Sequence, residues 1–442
     1  MVDIIFLLGT LISILFYLQR KYTNFIISFF FVLSNGFHLL SMPSIKIGDY
    51  ALLACVILLA IEFKHDKSFF TCKNDKVGLL IILLIFYYLF SMTFSVIRQK
   101  ESLFYSLLIF RFDLFYLSYF LFRKIDLESI NKAFIKLIGI SIIGGVLYYL
   151  QFIGVTGILQ TDSNMINASS GFARLRNVPY LTTPILFYLL VTHNYIKYRN
   201  LLIIFFCGLI IFPMNRGGII SSLLVVGSYF MIKRKVNLKH VFLVAFIFLL
   251  FQPIFSYRFS DEGSTGGGVL SELTTSVGII TENDIDGYTN SAIYSDGTFV
   301  FRILLVVERL NYLSKSLMNL CFGLGTVHES SSSIRNYSFS LGTTTVGDDG
   351  TLEVHQIDTN DVAFITHLLR FGLIYLFIFL WFLIVSLKRL YRSSEPLCIT
   401  AFLFLFAKVV QSLGSDGFSS FESMGLILLI LPLSIAQSKI KT

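Results

Sequence analysis

The sequence predicts an all-α integral membrane protein with about 13 transmembrane helices, within a range of 12–14, and one large extracytoplasmic loop between the tenth and eleventh that contains an amphipathic helix. Three observations predict it. Mean hydropathy is +0.76, with 55% hydrophobic and only 14% charged residues, where soluble domains carry about a quarter charged. Apolar runs close to the ~20 residues that a spanning helix needs recur along the chain. One polar stretch, 258–358, holds thirteen of the 27 acidic residues but five of the 35 Lys and Arg, while the rest is basic and apolar.

In order, the predicted helices are 2–18, 25–42, 47–63, 77–97, 102–122, 134–154, 180–196, 201–213, 217–232 and 241–257, then 359–387, 396–413 and 421–437. Residues 1–257 thus hold helices one to ten, 258–358 the loop, and 359–442 helices eleven to thirteen. The first run has no basic n-region and no small-residue cleavage site, so it reads as an uncleaved helix. Basic residues cluster at 20–21, 64–76, 123–136, 197–199, 233–239, 388–392 and 439–441. Thirteen helices put every cluster on one side, which the positive-inside rule makes cytoplasmic, leaving the N-terminus and the loop outside. This distribution, segment by segment, assigns the net charge of +8 to topology rather than to nucleic acid. The five cysteines show no disulfide framework and no metal-ligand spacing, and no metal or cofactor is expected.

The loop reads in three parts. Residues 258–298 are rich in Gly, Ser, Thr and Asp and read as irregular. Residues 299–320 space Ile303, Val306, Leu310, Leu313 and Leu317 as one helical face, with Arg302, Glu308, Arg309 and Lys315 on the polar side. Gly323-Leu324-Gly325 stops this helix, and 326–355 is again rich in Ser, Thr and Gly. An amphipathic helix there suits a membrane surface or a cavity mouth. No internal repeat is visible, which weighs against a transporter, since many are built from repeats.

Charge inside apolar runs is costly, about 2.5–3.5 kcal/mol for an Arg on insertion scales. Arg111 lies mid-way along its predicted helix, with Asp113 two residues on, too far round the helix to pair with it. Arg216 interrupts an apolar run in Pro213-Met214-Asn215-Arg216-Gly217-Gly218, Arg174 and Arg176 sit in the loop 155–179, and Arg370 follows His367 by one turn in the eleventh helix. Each has a structural explanation by itself: snorkelling, carbonyl contacts or a buried acid. Together they are the fork-like donors that a diphosphate or other multivalent anion requires. Asp358-Thr359-Asn360-Asp361 reads as an N-cap, and equally as an acid–base or sugar-binding group with His355 alongside.

These features resemble the bacterial O-antigen polymerase and ligase group of membrane glycosyltransferases. Asn215-Arg216-Gly217-Gly218 resembles its Ser-Arg-Gly turn, and Arg302 through Gly323-Leu324-Gly325 resembles its Arg, amphipathic helix, Gly-x-Gly series. Asn360-Asp361 through Arg370-Phe371-Gly372-Leu373-Ile374 resembles its His-Asn helix start and Gly-Leu-Ile-Gly run, with Thr359 in place of the His. The resemblance implies a bacterial cytoplasmic (inner) membrane enzyme that polymerises undecaprenyl-diphosphate-linked repeat units into O-antigen or capsular polysaccharide at the outer face. It implies metal-independent glycosyl transfer, with Asp361, His355 and Arg216 as catalytic residues. Arg111, Arg174, Arg176, Arg216, Arg302, Arg370, His367 and Asn360 would bind diphosphate or glycan. The implied partners are the lipid-linked glycan, membrane lipid and a chain-length regulator protein, with no nucleic acid. Ligation to another acceptor is the same chemistry, and a lipid-linked oligosaccharide flippase is the alternative of a different class.

Overall fold

A computed structural model describes residues 2–40, 47–153, 164–166, 173–175, 178–192, 198–213, 216–233, 298–342, 344–346, 352–357, 362–413, 418 and 421–438. The expected tenth helix, 241–257, and the first part of the loop lie outside them. The described chain is helical apart from two antiparallel hairpins, β1 (Asn164–Ile166) with β2 (Ala173–Leu175), and β3 (Thr344–Val346) with β4 (Leu352–Val354). Both hairpins fall in segments expected to be loops.

The first half comprises α1 (Val2–Leu18), α2 (Tyr22–Leu33), α3 (Asn35–His38), α4 (Ile47–His65), α5 (Lys76–Arg98), α6 (Leu103–Leu114), α7 (Ser118–Phe122) and α8 (Leu127–Phe152). It continues with α9 (Thr182–Val191), α10 (Arg199–Ile211) and α11 (Arg216–Lys233). After the loop come α12 (Thr298–Ser314), α13 (Leu317–Phe322), α14 (Ala363–Arg392), α15 (Pro396–Gln411), α16 (Phe421–Ile430) and α17 (Leu433–Ser438). Four stretches, Lys76–Arg98, Leu103–Phe122, Leu127–Phe152 and Ala363–Arg392, are long and apolar enough to cross a membrane. They mark the chain as a membrane protein. α5 shows why: Leu80, Ile81, Leu84 and Tyr88 are buried, while Leu79, Leu83, Phe86 and Phe90 form an exposed apolar stripe. Such a stripe suits lipid, because large apolar patches are rarely left against water.

Sequence chemistry sets the helix ends. Asp75 starts α5 by accepting the Gly78 N–H at 3.2 Å, Asp126 starts α8 by accepting the Ser129 N–H at 2.7 Å, and Pro396 opens α15. Two apolar runs do not stay helical. The run expected at 25–42 stops after Leu33, where Asn35, Gly36, Phe37 and His38 all take positive φ, between 51° and 64°. A left-handed turn strains three of those side chains, and it is held by Ser34, which accepts from the Phe37 N–H at 3.2 Å.

The second break is in α14. Gly372 sits at φ 74°, ψ −176°, a conformation open essentially to Gly alone. Rings twelve residues apart on this helix, His367 and Phe379, lie 5.0 Å from each other, where a straight helix would separate their backbones by about 18 Å. Phe364 and Phe379 likewise both pack on Phe418, at 5.8 and 5.3 Å. Residues 363–371 therefore fold back as a short re-entrant helix, and only 373–392 runs on as a membrane-length segment.

The expected amphipathic helix 299–320 is two helices, α12 and α13; α12 packs part of its apolar side into a core, while Leu310, Leu317 and Met318 stay exposed. Val300, Leu304, Leu305 and Leu313 form a separate core with Leu324, Val327, Phe339, Leu341 and Ile357, closed by Ile365, Leu368 and Leu369 of the re-entrant helix. Arg309, expected on the polar side, is fully buried. It pairs with Glu308 at 2.6 Å, donates to the Gln356 carbonyl at 3.3 Å and lies 4.6 Å from the Phe339 ring centre. Burial pulls its guanidinium down to about 10 against the opposing pull of Glu308 and Glu329. Glu308 also accepts from the Ser340 N–H at 2.7 Å, so one ion pair ties α12 to the loop after α13, and the described residues of 298–357 form a cap.

Candidate functional site

The helix break generates the site. Reversal at Gly372 frees the last carbonyls of the re-entrant helix, and buried carbonyls need donors. Leu324 N–H donates to the Leu369 carbonyl at 2.8 Å, Gly325 N–H to the Arg370 carbonyl at 2.6 Å, and the Tyr87 hydroxyl to the Phe371 carbonyl at 2.6 Å. Gly323 and Gly372 are what permit this approach. A Cβ on Gly323 would lie 2.3 Å from the Arg370 oxygen, and one on Gly372 2.3 Å from the Cys321 oxygen. The two glycine segments that carry the family resemblance thus form one backbone junction.

The cap is fixed to α5 as well. Thr326 N–H donates to Ser95 Oγ at 2.7 Å, Gln99 donates to the Leu324 carbonyl, and Ser333 donates to buried Glu101. His328 stacks on Tyr105 with ring centres 5.0 Å apart. A cap bonded at both α5 and α14 is a built roof rather than a loose flap.

Beneath the roof lies buried charge. Arg370 is 4% exposed and donates to the Val327 carbonyl of the cap at 2.6 Å. Asp113 of α6 is buried close to Arg370 and beside Tyr88 of α5. Tyr88 shares a hydrogen bond with Tyr375, just beyond the break. His367 lies against Tyr375 and Phe379, with ring centres at 5.6 and 5.0 Å. One Arg, one Asp, two phenols and an imidazole therefore converge from three helices.

A second polar cluster adjoins the first through α6. Arg111 pairs with Asp49 of α4 at 3.1 Å, so Arg111 and Asp113 serve different neighbours, as their two-residue spacing requires. Phe421 packs on Phe112 and Phe115, each at 5.0 Å, and its neighbour Glu422 reaches His38 at 2.9 Å. The strained turn of α3 delivers that imidazole. His38 Nδ1 lies 2.7 Å from the Val178 carbonyl, so Nδ1 carries a proton and Nε2 faces the carboxylate. Either Nε2 or Glu422 must then hold a second proton, which makes the pair a proton-sharing unit.

Of the residues singled out in the sequence, Arg370 and His367 enter the first cluster and Arg111 the second. Arg302 is half-buried in the second turn of α12. His355 follows β4 directly, its carbonyl against Gly342, where a Cβ would meet it at 2.2 Å. Arg174 pairs in register with Met165, and Arg216 is the first residue of α11. The side chains of Arg174 and Arg216, and all of Arg176, Asn360 and Asp361, lie outside the described residues. Asp113, Tyr88, Tyr375, His38, Glu422 and Asp49 are site residues that the arginine pattern did not single out. Their signal was present, since His38 and Glu422 also place charge in apolar runs.

No protein-family model matches the chain, and no curated protein matches it.

Proposed function

We propose that the chain is a membrane polysaccharide polymerase acting on lipid-diphosphate-linked repeat units, with about thirteen spans and its cap on the extracytoplasmic side of the bacterial cytoplasmic membrane. The observation that carries this reading is the re-entrant helix. It joins the two glycine motifs of the resemblance and seats Arg370 and Asp113 beneath a folded cap. Irregular backbone at membrane depth is tolerated where it is buried in protein or lines a cavity, so a break with buried charge at its tip marks a place where substrate chemistry is done.

The reaction is glycosyl transfer. A hydroxyl oxygen of the acceptor unit attacks the anomeric carbon of the donor, the bond to the lipid diphosphate breaks, and the diphosphate leaves with the electron pair. Asp361 or His355 takes the acceptor proton. Guanidinium groups stabilise the charge that develops on the leaving oxygen. Arg111 and Arg370 already serve internal partners, so the diphosphate anchor falls first to Arg216, together with Arg174, Arg176 and Arg302. Arg370 and His367 hold the floor of the site in place.

The test is purified protein incubated with lipid-linked repeat units, with products separated by size. A ladder of lengths supports polymerisation, and unchanged substrate in the presence of folded protein overturns it. Arg216→Ala is expected to abolish the ladder while membrane insertion stays normal. The flippase reading gains from the same helix break, because discontinuous helices line transporter sites. In proteoliposomes it predicts movement of the glycan across the bilayer with no change in its length.

A further inference from the structure

The end of the bundle away from the cap carries a second site. There Asp75 accepts hydrogen bonds from Tyr119 at 2.8 Å and Arg389 at 2.9 Å, with Arg123 3.8 Å away. Arg123 also donates to the Thr71 and Phe69 carbonyls. The basic clusters 64–76, 123–136 and 388–392 therefore meet at one end of the molecule. Beside them opens a cavity of about 480 Å³, lined by Trp381, Ile384, Val385, Lys388 and Arg392 of α14 and by Lys76 of α5.

Two features distinguish this cavity from ordinary helix-end charge. Lys388 and Arg392 suit the negative end of α14, but Lys76 stands at the first residue of α5, where a helix disfavours a cation. Among the described residues, none of these three cations forms an ion pair. The second feature is order along the helix. Positions 381, 384, 385, 388 and 392 lie on one helical face, apolar at the start and cationic at the end. The face is about 16 Å long at 1.5 Å per residue. Trp381 and Ile384 are exposed at the bundle surface, so the cavity opens sideways toward lipid.

We infer that this cavity binds an anionic phospholipid, its phosphate held by Lys76, Lys388 and Arg392 and its acyl chains along Val385, Ile384 and Trp381. A free phosphate would use the cations but not the apolar stripe that leads away from them. Basic pockets between transmembrane helices at the cytoplasmic face are suited to such headgroups, and the volume falls within the ~300–1,000 Å³ of small-molecule sites.

The chain has a single Trp, so its fluorescence reports this cavity directly. The full-length protein is placed in phosphatidylcholine nanodiscs with increasing fractions of brominated phosphatidylglycerol or, in parallel, brominated phosphatidylcholine. The expected result is quenching of Trp381 at a much lower fraction of the anionic lipid. The variant Lys388→Gln/Arg392→Gln, both at exposed positions, is expected to lose that preference by about thirty-fold, the effect of two surface cations. Its emission maximum in pure phosphatidylcholine serves as the check on folding. Equal quenching by the two lipids in the parent protein overturns the proposal, as does a preference that survives in the folded variant. Millimolar inorganic pyrophosphate forms the third arm. Release of quenching at that concentration would assign the cations to a soluble anion and also overturn it, whereas retained quenching supports a lipid.

Discussion

The rings of His367 and Phe379 lie 5.0 Å apart although twelve residues of α14 separate them. That relationship exists because Gly372 reverses the chain, and the reversal holds because Gly323 lets the cap come close enough to satisfy the freed carbonyls. Gly372→Ala and Gly323→Ala are each expected to destabilise the protein by about 1–3 kcal/mol from backbone strain, and further because the atoms met are backbone. Gly139 and Gly227 have nothing within 4 Å of a Cβ, and in helices their change to Ala should be neutral or stabilising by about 0.5–1 kcal/mol. Thermal unfolding in detergent separates the two pairs. Equal midpoints for all four would remove the junction from the account of stability.

Asp126 gives a pH prediction. Burial pushes its carboxyl up, but hydrogen bonds from the Ser129 N–H and hydroxyl, both at 2.7 Å, outweigh that and hold it below the ordinary carboxylate range. A carboxyl depressed in the folded state contributes stability above its unfolded value and loses it as pH falls through the folded one. The contribution is thus complete at neutral pH and fades from about pH 4 downward. Asp126→Ala should cost about 1 kcal/mol at pH 7 as a lost cap. Asp126→Asn keeps the cap, and its stability should vary less with pH than the parent's below about pH 4. Parallel profiles for Asn and Asp would count against the assignment.

Asp75 ties more partners together than any cap needs. It starts α5 and binds Tyr119 and Arg389 while 5% exposed. Removing one partner of a buried ion pair costs about 3–5 kcal/mol, because the other charge is left uncompensated. Asp75→Ala is expected to reach that range and to lower the yield of monodisperse protein. Asp75→Asn, which retains acceptors for Gly78 and Tyr119, should cost clearly less. A smaller loss for Ala than for Asn would contradict the hub.

These residues also show what the sequence made legible. Segments such as 2–18, 47–63, 77–97 and 396–413 lie within a few residues of observed helices because their ends carry local chemistry, as at Asp75 and Pro396. The left-handed turn at 35–38 and the reversal at Gly372 sit inside segments that hydropathy reads as single helices; Asn35-Gly36 is a local turn signal, whereas nothing beside Gly372 marks the reversal. The reversal also depends on Gly323, 49 residues earlier. Arg309 looked solvent-facing because Gln356 and Phe339, which bury it, come from distant sequence. In the site, Arg370 and His367 stood out as charge in greasy sequence. Asp113 was visible only as a neighbour of Arg111, and Tyr88 gave no signal until its partner Tyr375 was brought beside it.

Arg370 and Asp113 allow the floor of the site to be separated into structural and chemical parts. Arg370 holds the cap through the Val327 carbonyl and lies close to buried Asp113. Arg370→Met leaves that carbonyl without its donor, and should cost about 1–3 kcal/mol from the unsatisfied carbonyl. Asp113→Leu removes a buried polar group that lies beside Tyr88 and Arg370, and should also destabilise, by about 0.5–3 kcal/mol. The double variant removes both polar groups at once, and the effects of interacting neighbours are not additive. Its loss should therefore be smaller than the sum of the singles, with a coupling of about 0.5–3 kcal/mol. Product laddering reads the other quantity. If the double variant recovers stability yet makes no ladder, the pair positions the substrate site rather than merely holding the cap. If stability and laddering return together, Arg370 is a structural residue and the leaving diphosphate must be held by Arg216 and the other arginines.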